Sequence, residues 1–175
     1  MNIVIAEHAG FCFGVKRAIE TAEKTLKNSV GEKIYSFGPL VHNSQVVEKF
    51  RQQGLSVVEN LNDISTTGKV IIRSHGIPES LQKEIENKNL ELIDCTCPYV
   101  KLVHKKVNEY YKKGYHVVII GDKNHPEVIG INGWCNNEAT IINNEKEAHE
   151  LPEFNKVCIV SQTTNTFEKF DKLSN

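Results

Sequence analysis

The stretch that decides the fold runs from Asp94 to Ile120, DCTCPYVKLVHKKVNEYYKKGYHVVII. It closes on Val117-Val118-Ile119-Ile120, a β-branched run without polar alternation that suits a parallel strand covered on both faces. Ahead of it Val100, Val103, Val107 and Tyr110 recur at helical spacing, and Gly114 stops that helix. Pro98 stands at the favoured first helical position, with Cys97 at the cap. A strand ending in the loop from Asp94, then a helix, then a second strand make a right-handed βαβ unit.

Outward from this unit the alternation repeats. Ile3-Val4-Ile5-Ala6, Val70-Ile71-Ile72 and Val157-Cys158-Ile159-Val160 read as further buried strands. Val15, Ala18, Ile19, Ala22 and Leu26 share one helical face, stopped by Gly31. The fold class is α/β, with mainly parallel sheets flanked by helices. A weak boundary falls near Cys97-Pro98, and neither a low-complexity linker nor a repeat divides the chain. After Ser161 a new helix, Thr166 to Lys172, starts shortly before Asn175 and reads as an undocked first turn. The sequence is therefore expected to be a piece of a longer protein.

Composition narrows the function. The 175 residues are 39% hydrophobic and 25% charged with a formal net charge of -1, so no basic field points to nucleic acid or an anionic membrane. No apolar run reaches the roughly 18 residues of a membrane span. Met1-Asn2-Ile3-Val4-Ile5 lacks the charged start of a signal peptide, which gives the expectation of a cytoplasmic protein. Five cysteines in that setting point to packing, metal binding or catalysis rather than disulfides.

Ligands of open parallel sheets bind at the carboxyl ends of strands. Six loops stand at such ends: Gly10-Phe11-Cys12-Phe13-Gly14, Gly38-Pro39-Leu40-Val41-His42-Asn43, Arg73-Ser74-His75-Gly76, Asp94-Cys95-Thr96-Cys97-Pro98, Asn124-His125-Pro126-Glu127 and Ser161-Gln162-Thr163-Thr164-Asn165. Each carries a Cys, His or Thr where a ligand would sit. One strand-end histidine means little; six loops in register are hard to assign to packing.

Cys12 and Cys97 each stand just before a helix, where the dipole favours a thiolate that could ligate an iron–sulfur cluster or zinc. Two thiols are too few for either, so a further ligand must come from elsewhere. Cys95 competes with Cys97, but only Cys97 has the helix cap. Cys158 reads as core, and Cys135, beside Trp134, as structural. His42, His75 and His125 each precede or open a helix, an arrangement suited to an anion such as a diphosphate, or for any one of them alone to a capping or core histidine. His8, His104, His116 and His149 have no such placement. Glu127 stands two residues beyond His125, where a carboxyl either holds and delivers a proton in a half-dry pocket or serves as a favourable charge in a helix first turn. Thr163 and Asn165 either orient groups by hydrogen bonds or cap the following helix.

Taken in order, Gly10-Phe11-Cys12-x-Gly14-Val15-x-Arg17-Ala18, Val41-His42-Asn43, Ser74-His75-Gly76, Asp94-x-Thr96-Cys97-Pro98, His125-Pro126-Glu127-Val128-x-Gly130 and Gln162-Thr163-Thr164 resemble the LytB (IspH) family of 4-hydroxy-3-methylbut-2-enyl diphosphate reductases. The resemblance covers almost the whole chain. It implies a reductive dehydroxylation yielding isopentenyl and dimethylallyl diphosphate, the last step of the methylerythritol phosphate route to isoprenoids. It also implies a three-lobed, trefoil-like α/β fold around one 4Fe-4S cluster held by three cysteines. Carried over by motif, Cys12 and Cys97 are two metal ligands and His42, His75 and His125 bind the diphosphate. Glu127 delivers protons assisted by Thr163, which also belongs to the substrate site. Ferredoxin or flavodoxin would supply electrons. No residue matches the motifs of the family's last lobe, which holds the third cysteine. The expectation is thus two similar small lobes, 13–97 and 98–175, with 1–12 as a strand of the absent third lobe. Such a piece should be inactive and free of cluster by itself. Two rival readings are a zinc-dependent deaminase or hydrolase, suggested by His125-x-Glu127 but lacking Pro-Cys-x-x-Cys, and a non-catalytic phosphate-binding module.

Overall fold

The computed structural model describes residues 3–4, 7, 9–65, 67–88 and 90–174. Helix α1 (Phe13–Asn28) precedes β1 (Ile34–Phe37), α2 (Ser44–Gln52), β2 (Leu55–Val58), β3 (Lys69–Ile72), α3 (Glu79–Asn87) and β4 (Glu91–Asp94). Then come α4 (Pro98–Lys112), β5 (His116–Ile120), α5 (Pro126–Asn132), β6 (Thr140–Ile142), α6 (Glu145–His149), β7 (Val157–Ser161) and α7 (Phe167–Ser174). All pairings are parallel. The first sheet has the order β2-β1-β3-β4 and the second β6-β5-β7.

Strand order fixes where loops can open. In the first sheet the chain steps from β1 outward to β2, then returns to β3 and continues to β4 on the other side. Loops after β1 and β3 therefore leave in opposite directions, and a crevice forms between them. The second sheet does the same between β5 and β7. The strand-end reading above thus holds for the loops after β1, β3, β4, β5 and β7. The sequence reading had no place for β2 and β6, which lie at sheet edges.

Each sheet is covered on both faces. Ala18 and Ala22 of α1, with Phe50 of α2, pack on Ile34 and Ile71, while Ile85 of α3 packs on Val70 and Ile72 opposite. In the second sheet Val107 of α4 and Val128 and Ile131 of α5 cover Val117 and Ile119. Leu173 and Phe170 of α7 lie against Val118, Ile120 and Ile142, and Lys172 pairs with Glu145 at 2.6 Å. The last helix is therefore docked, against the expectation of a free first turn, because its apolar face completes the second sheet. Cys158 also departs from expectation: β7 is a sheet edge, so this thiol is only half-buried.

Of the expected first strand, Ile5 and Ala6 lie outside the described residues, as does His8. Ile3 and Val4 belong to no sheet and are 75% and 91% exposed. No helix among the described residues is long and apolar enough to cross a membrane.

Candidate functional site at the two sheet crevices

Three histidines from three loops meet at one point. His42 follows β1, His75 follows β3 and His125 follows β5. Their ring centroids lie 4.9 Å (His42–His75), 5.2 Å (His75–His125) and 6.1 Å (His42–His125) apart. One ring nitrogen of each lies within 4.8 Å of those of the other two. The crevices of both sheets thus open onto a shared site.

Local sequence sets each ring. Asn43 caps α2 by accepting from the Val46 N–H, which fixes the turn that carries His42. His125 is itself the cap of α5, and its Nδ1 accepts from the Glu127 N–H at 3.2 Å. With Nδ1 used as an acceptor, a neutral His125 carries its proton on Nε2 and presents a donor. His75 precedes a helix without opening it: α3 begins four residues later, after Gly76-Ile77-Pro78. It is held by packing instead. A Cβ on Gly76 would stand 2.5 Å from His104 Cε1, and one on Gly130 would stand 3.3 Å from the His75 carbonyl oxygen. Burial, then the charges of His42, Arg73 and His125, pull the His75 pKa down to about 4. The ring is neutral at pH 7, and its Nδ1 is buried without a partner.

Glu127, 1% exposed, sits in the first turn of α5. Its carboxylate accepts from the Thr163 N–H at 2.6 Å and the Thr163 hydroxyl at 3.0 Å. Thr163 therefore caps no helix; Thr166 does that for α7, accepting from the Lys169 N–H. Asn165 is structural, donating to the Ile120 carbonyl and to Ser161 Oγ.

The two helix-start thiols are also set by packing. Cys12 and Cys97 are the N-cap residues of α1 and α4, and neither side chain makes a capping hydrogen bond. Cys12 is exposed and Cys97 half-buried. The two helix starts meet at Gly14, where a Cβ would lie only 2.8 Å from Cys97 Sγ. Arg17 clamps the contact by donating to the carbonyls of Thr96 (3.0 Å) and Asp94 (3.4 Å). The Cys97 N–H donates to the Ser74 carbonyl at 2.9 Å, so the cysteine is tied to the residue before His75. Cys95 points the other way, into the core with Ala18 and Ala22, and burial pushes its pKa up to about 11. Cys135 is likewise buried and raised to about 11. Among the described residues no third metal-binding side chain gathers with Cys12 and Cys97.

Two side chains had no role in the sequence reading. Arg17 stands in a quoted motif, and Arg73 opens a strand-end loop; a rule that looked for cations as well as Cys, His and Thr would have marked Arg73. Of the other described histidines, His104 stacks on Trp134 with its buried Nε2 unpartnered, and His116 stacks on Phe154 while contacting Thr140.

These features define an α/β protein with a polar site where the crevices of two parallel sheets converge. The chain belongs to the LytB protein family, whose pattern matches residues 3–175. It is 49% identical over 174 residues to the 4-hydroxy-3-methylbut-2-enyl diphosphate reductase of Alkaliphilus oremlandii, covering 99% of this chain and 62% of that protein. The enzyme of the same name from Caldanaerobacter subterraneus subsp. tengcongensis is 54% identical over 166 residues, covering 94% and 58%. Among solved structures, the E-1-hydroxy-2-methyl-but-2-enyl-4-diphosphate reductase of Plasmodium falciparum superposes with a TM-score of 0.88 at 35% identity, over 96% of this chain and 53% of that one. The chain therefore spans about three fifths of the length of the curated relatives it matches.

Proposed function

We propose that this chain forms part of an enzyme that reductively dehydroxylates (E)-4-hydroxy-3-methylbut-2-enyl diphosphate to isopentenyl and dimethylallyl diphosphate, closing the methylerythritol phosphate route in the cytoplasm. The observation that carries the reading is the convergence of His42, His75 and His125 beside a buried carboxylate held by Thr163. In this reading the three imidazoles bind the diphosphate, and the Nε2–H of His125 is one donor to it. Glu127 passes a proton to the substrate, with Thr163 fixing the carboxylate and contacting the substrate.

Cys12 and Cys97 suit two ligands of a 4Fe-4S cluster: both are sulfur donors at helix starts that meet, and neither is used as a cap. Bound there, the cluster would supply electrons received from ferredoxin or flavodoxin. The third thiolate would come from outside these 175 residues, so the chain alone is expected to be inactive. The units of this arrangement are lobes 13–97 and 98–175, with 1–12 completing a further lobe.

The separations among the histidines would also suit a zinc ion, as the hydrolase reading requires. The His125 tautomer opposes it. Ligation through Nε2 needs the proton on Nδ1, where it would face the Glu127 N–H.

The test uses a full-length protein containing this chain, reconstituted anaerobically with iron and sulfide. Wild type should turn over the allylic diphosphate with a strong reductant and absorb broadly near ~400 nm. Cys12→Ser and Cys97→Ser should lose most iron, whereas Cys158→Ser should keep it. Equal iron in all three variants, or no turnover by the iron-loaded wild type, would overturn the assignment.

A further inference from the structure

The chain has three arginines, and two are engaged. Arg17 donates to the Thr96 and Asp94 carbonyls, and Arg51 pairs with Glu48. The Arg73 side chain makes neither a hydrogen bond nor an ion pair among the described residues, and its Nε is buried without a partner. A half-buried guanidinium with unused donors is costly, so its position calls for a physical reason.

Arg73 leaves the end of β3 two residues before His75, and its guanidinium crosses to the end of β1. A Cβ on Gly38 would stand 2.5 Å from Arg73 Nη1, and Gly38 itself adopts φ +71°. The side chain therefore spans the β1–β3 crevice, from whose two sides His42 and His75 rise. It is close enough for its charge to work against a proton on His75. The acid that faces it, Glu59 beyond the end of β2, favours its charge but forms no ion pair with it. Two unmatched groups thus sit at one crevice: the Arg73 guanidinium and the His75 Nδ1.

We infer that Arg73 is a fourth anion-binding group of this site, a permanent cation at the β1–β3 crevice that pairs with phosphate oxygens the three imidazoles leave free. The inference rests on reading the histidines as an anion cradle. Imidazoles supply donors without fixed charge, and a planar guanidinium adds fixed charge with two parallel donors matched to a phosphate. The alternative is a strut whose only work is to fill the space over Gly38.

Binding of inorganic pyrophosphate to the chain separates the two. By calorimetry at several salt concentrations, Arg73→Gln should weaken binding roughly ten- to hundredfold and flatten its salt dependence, with Arg73→Lys between it and wild type. In the wild-type chain with 15N-labelled arginine, the Arg73 Nε–H signal should shift on adding pyrophosphate while that of Arg51 stays. This arm decides the matter if Arg73→Gln does not fold. Wild-type affinity and salt dependence in Arg73→Gln, or an Arg73 signal indifferent to saturating pyrophosphate, would overturn the inference. If His75→Asn loses binding while Arg73→Gln does not, only Arg73 is misassigned. If wild type binds no pyrophosphate, the cradle itself fails and Arg73 with it.

Discussion

Thr163 holds both oxygens of the Glu127 carboxylate, donating its backbone N–H to one at 2.6 Å and its hydroxyl to the other at 3.0 Å. The pair joins the loop after β7 to the first turn of α5, and the carboxylate is 1% exposed.

Replacing Glu127 with Gln should leave this contact nearly intact. The amide oxygen can accept from the Thr163 N–H while the amide nitrogen donates to the hydroxyl oxygen. Stability should change little, and only the transferable proton is lost. In the full-length enzyme, kcat should fall by about 100-fold or more with KM nearly unchanged. An effect confined to KM would make Glu127 a binding residue. Thr163→Val, which removes one donor, should lower kcat less, and Thr163→Ser should restore it.

Gly14→Ala separates packing from helix stability. The position is helical, where alanine is ordinarily favoured by about 1 kcal/mol. The added methyl would fall 2.8 Å from Cys97 Sγ, so the sulfur must shift. The expected outcome is a melting temperature close to wild type with markedly less iron after reconstitution. Full iron loading would show that Cys97 need not stay where it is.

Two histidines make the fold sensitive to mild acid. His104 is 5% exposed, and burial pulls its pKa down to about 4 from 6.5. Below pH 6.5 the unfolded chain takes up a proton that the folded chain refuses until about pH 4. The stability from a neutral His104 is therefore complete above pH 6.5 and is lost as the pH falls towards 4, by about 3 kcal/mol in all. His75 adds a smaller share of the same sign, because it is only half-buried. Urea midpoints measured from pH 7 to 4 should fall, and His104→Gln should flatten the curve. An unchanged slope in that variant would remove His104 as the cause.

Thiol chemistry should sort the cysteines by position. Iodoacetamide at pH 8 should label exposed Cys12 first. Cys95 and Cys135, buried and raised to about 11, should resist until the chain unfolds. Peptide mapping by mass spectrometry over time gives the order; rapid labelling of Cys95 would contradict its place in the core.

The sequence was most readable where periodicity and caps are strong. Cys97 and Pro98 stand at the start of α4 as read, and Ala18 and Ala22 line the buried side of α1. Two of the four edge strands were missed: Leu55-Ser56-Val57-Val58 mixes polarities, and Thr140-Ile141-Ile142 is three residues long. Cys158 looked like core because its neighbours are apolar, but an edge strand is covered incompletely. Site residues could be chosen by their place after strands. Their partners could not, because the bond from Thr163 to Glu127 spans 36 residues and the contact of Arg73 with Gly38 depends on strand order. An unmatched donor such as Arg73 Nε has no signature in a sequence at all.

Sheet order also carries a consequence for synthesis. β7 pairs with β5 and lies on the far side of it from β6. A nascent chain that has emerged only through α6 can pair β5 with β6, yet its Glu127 still lacks the residue that will hold it. Until β7 docks, that carboxylate must keep its water, and α5 with His125 at its cap cannot settle around it. The contact of Thr163 with Glu127 then forms in one step, when β7 closes against β5, so a nascent chain that stops short of β7 lacks this part of the site however much of the first sheet it has built.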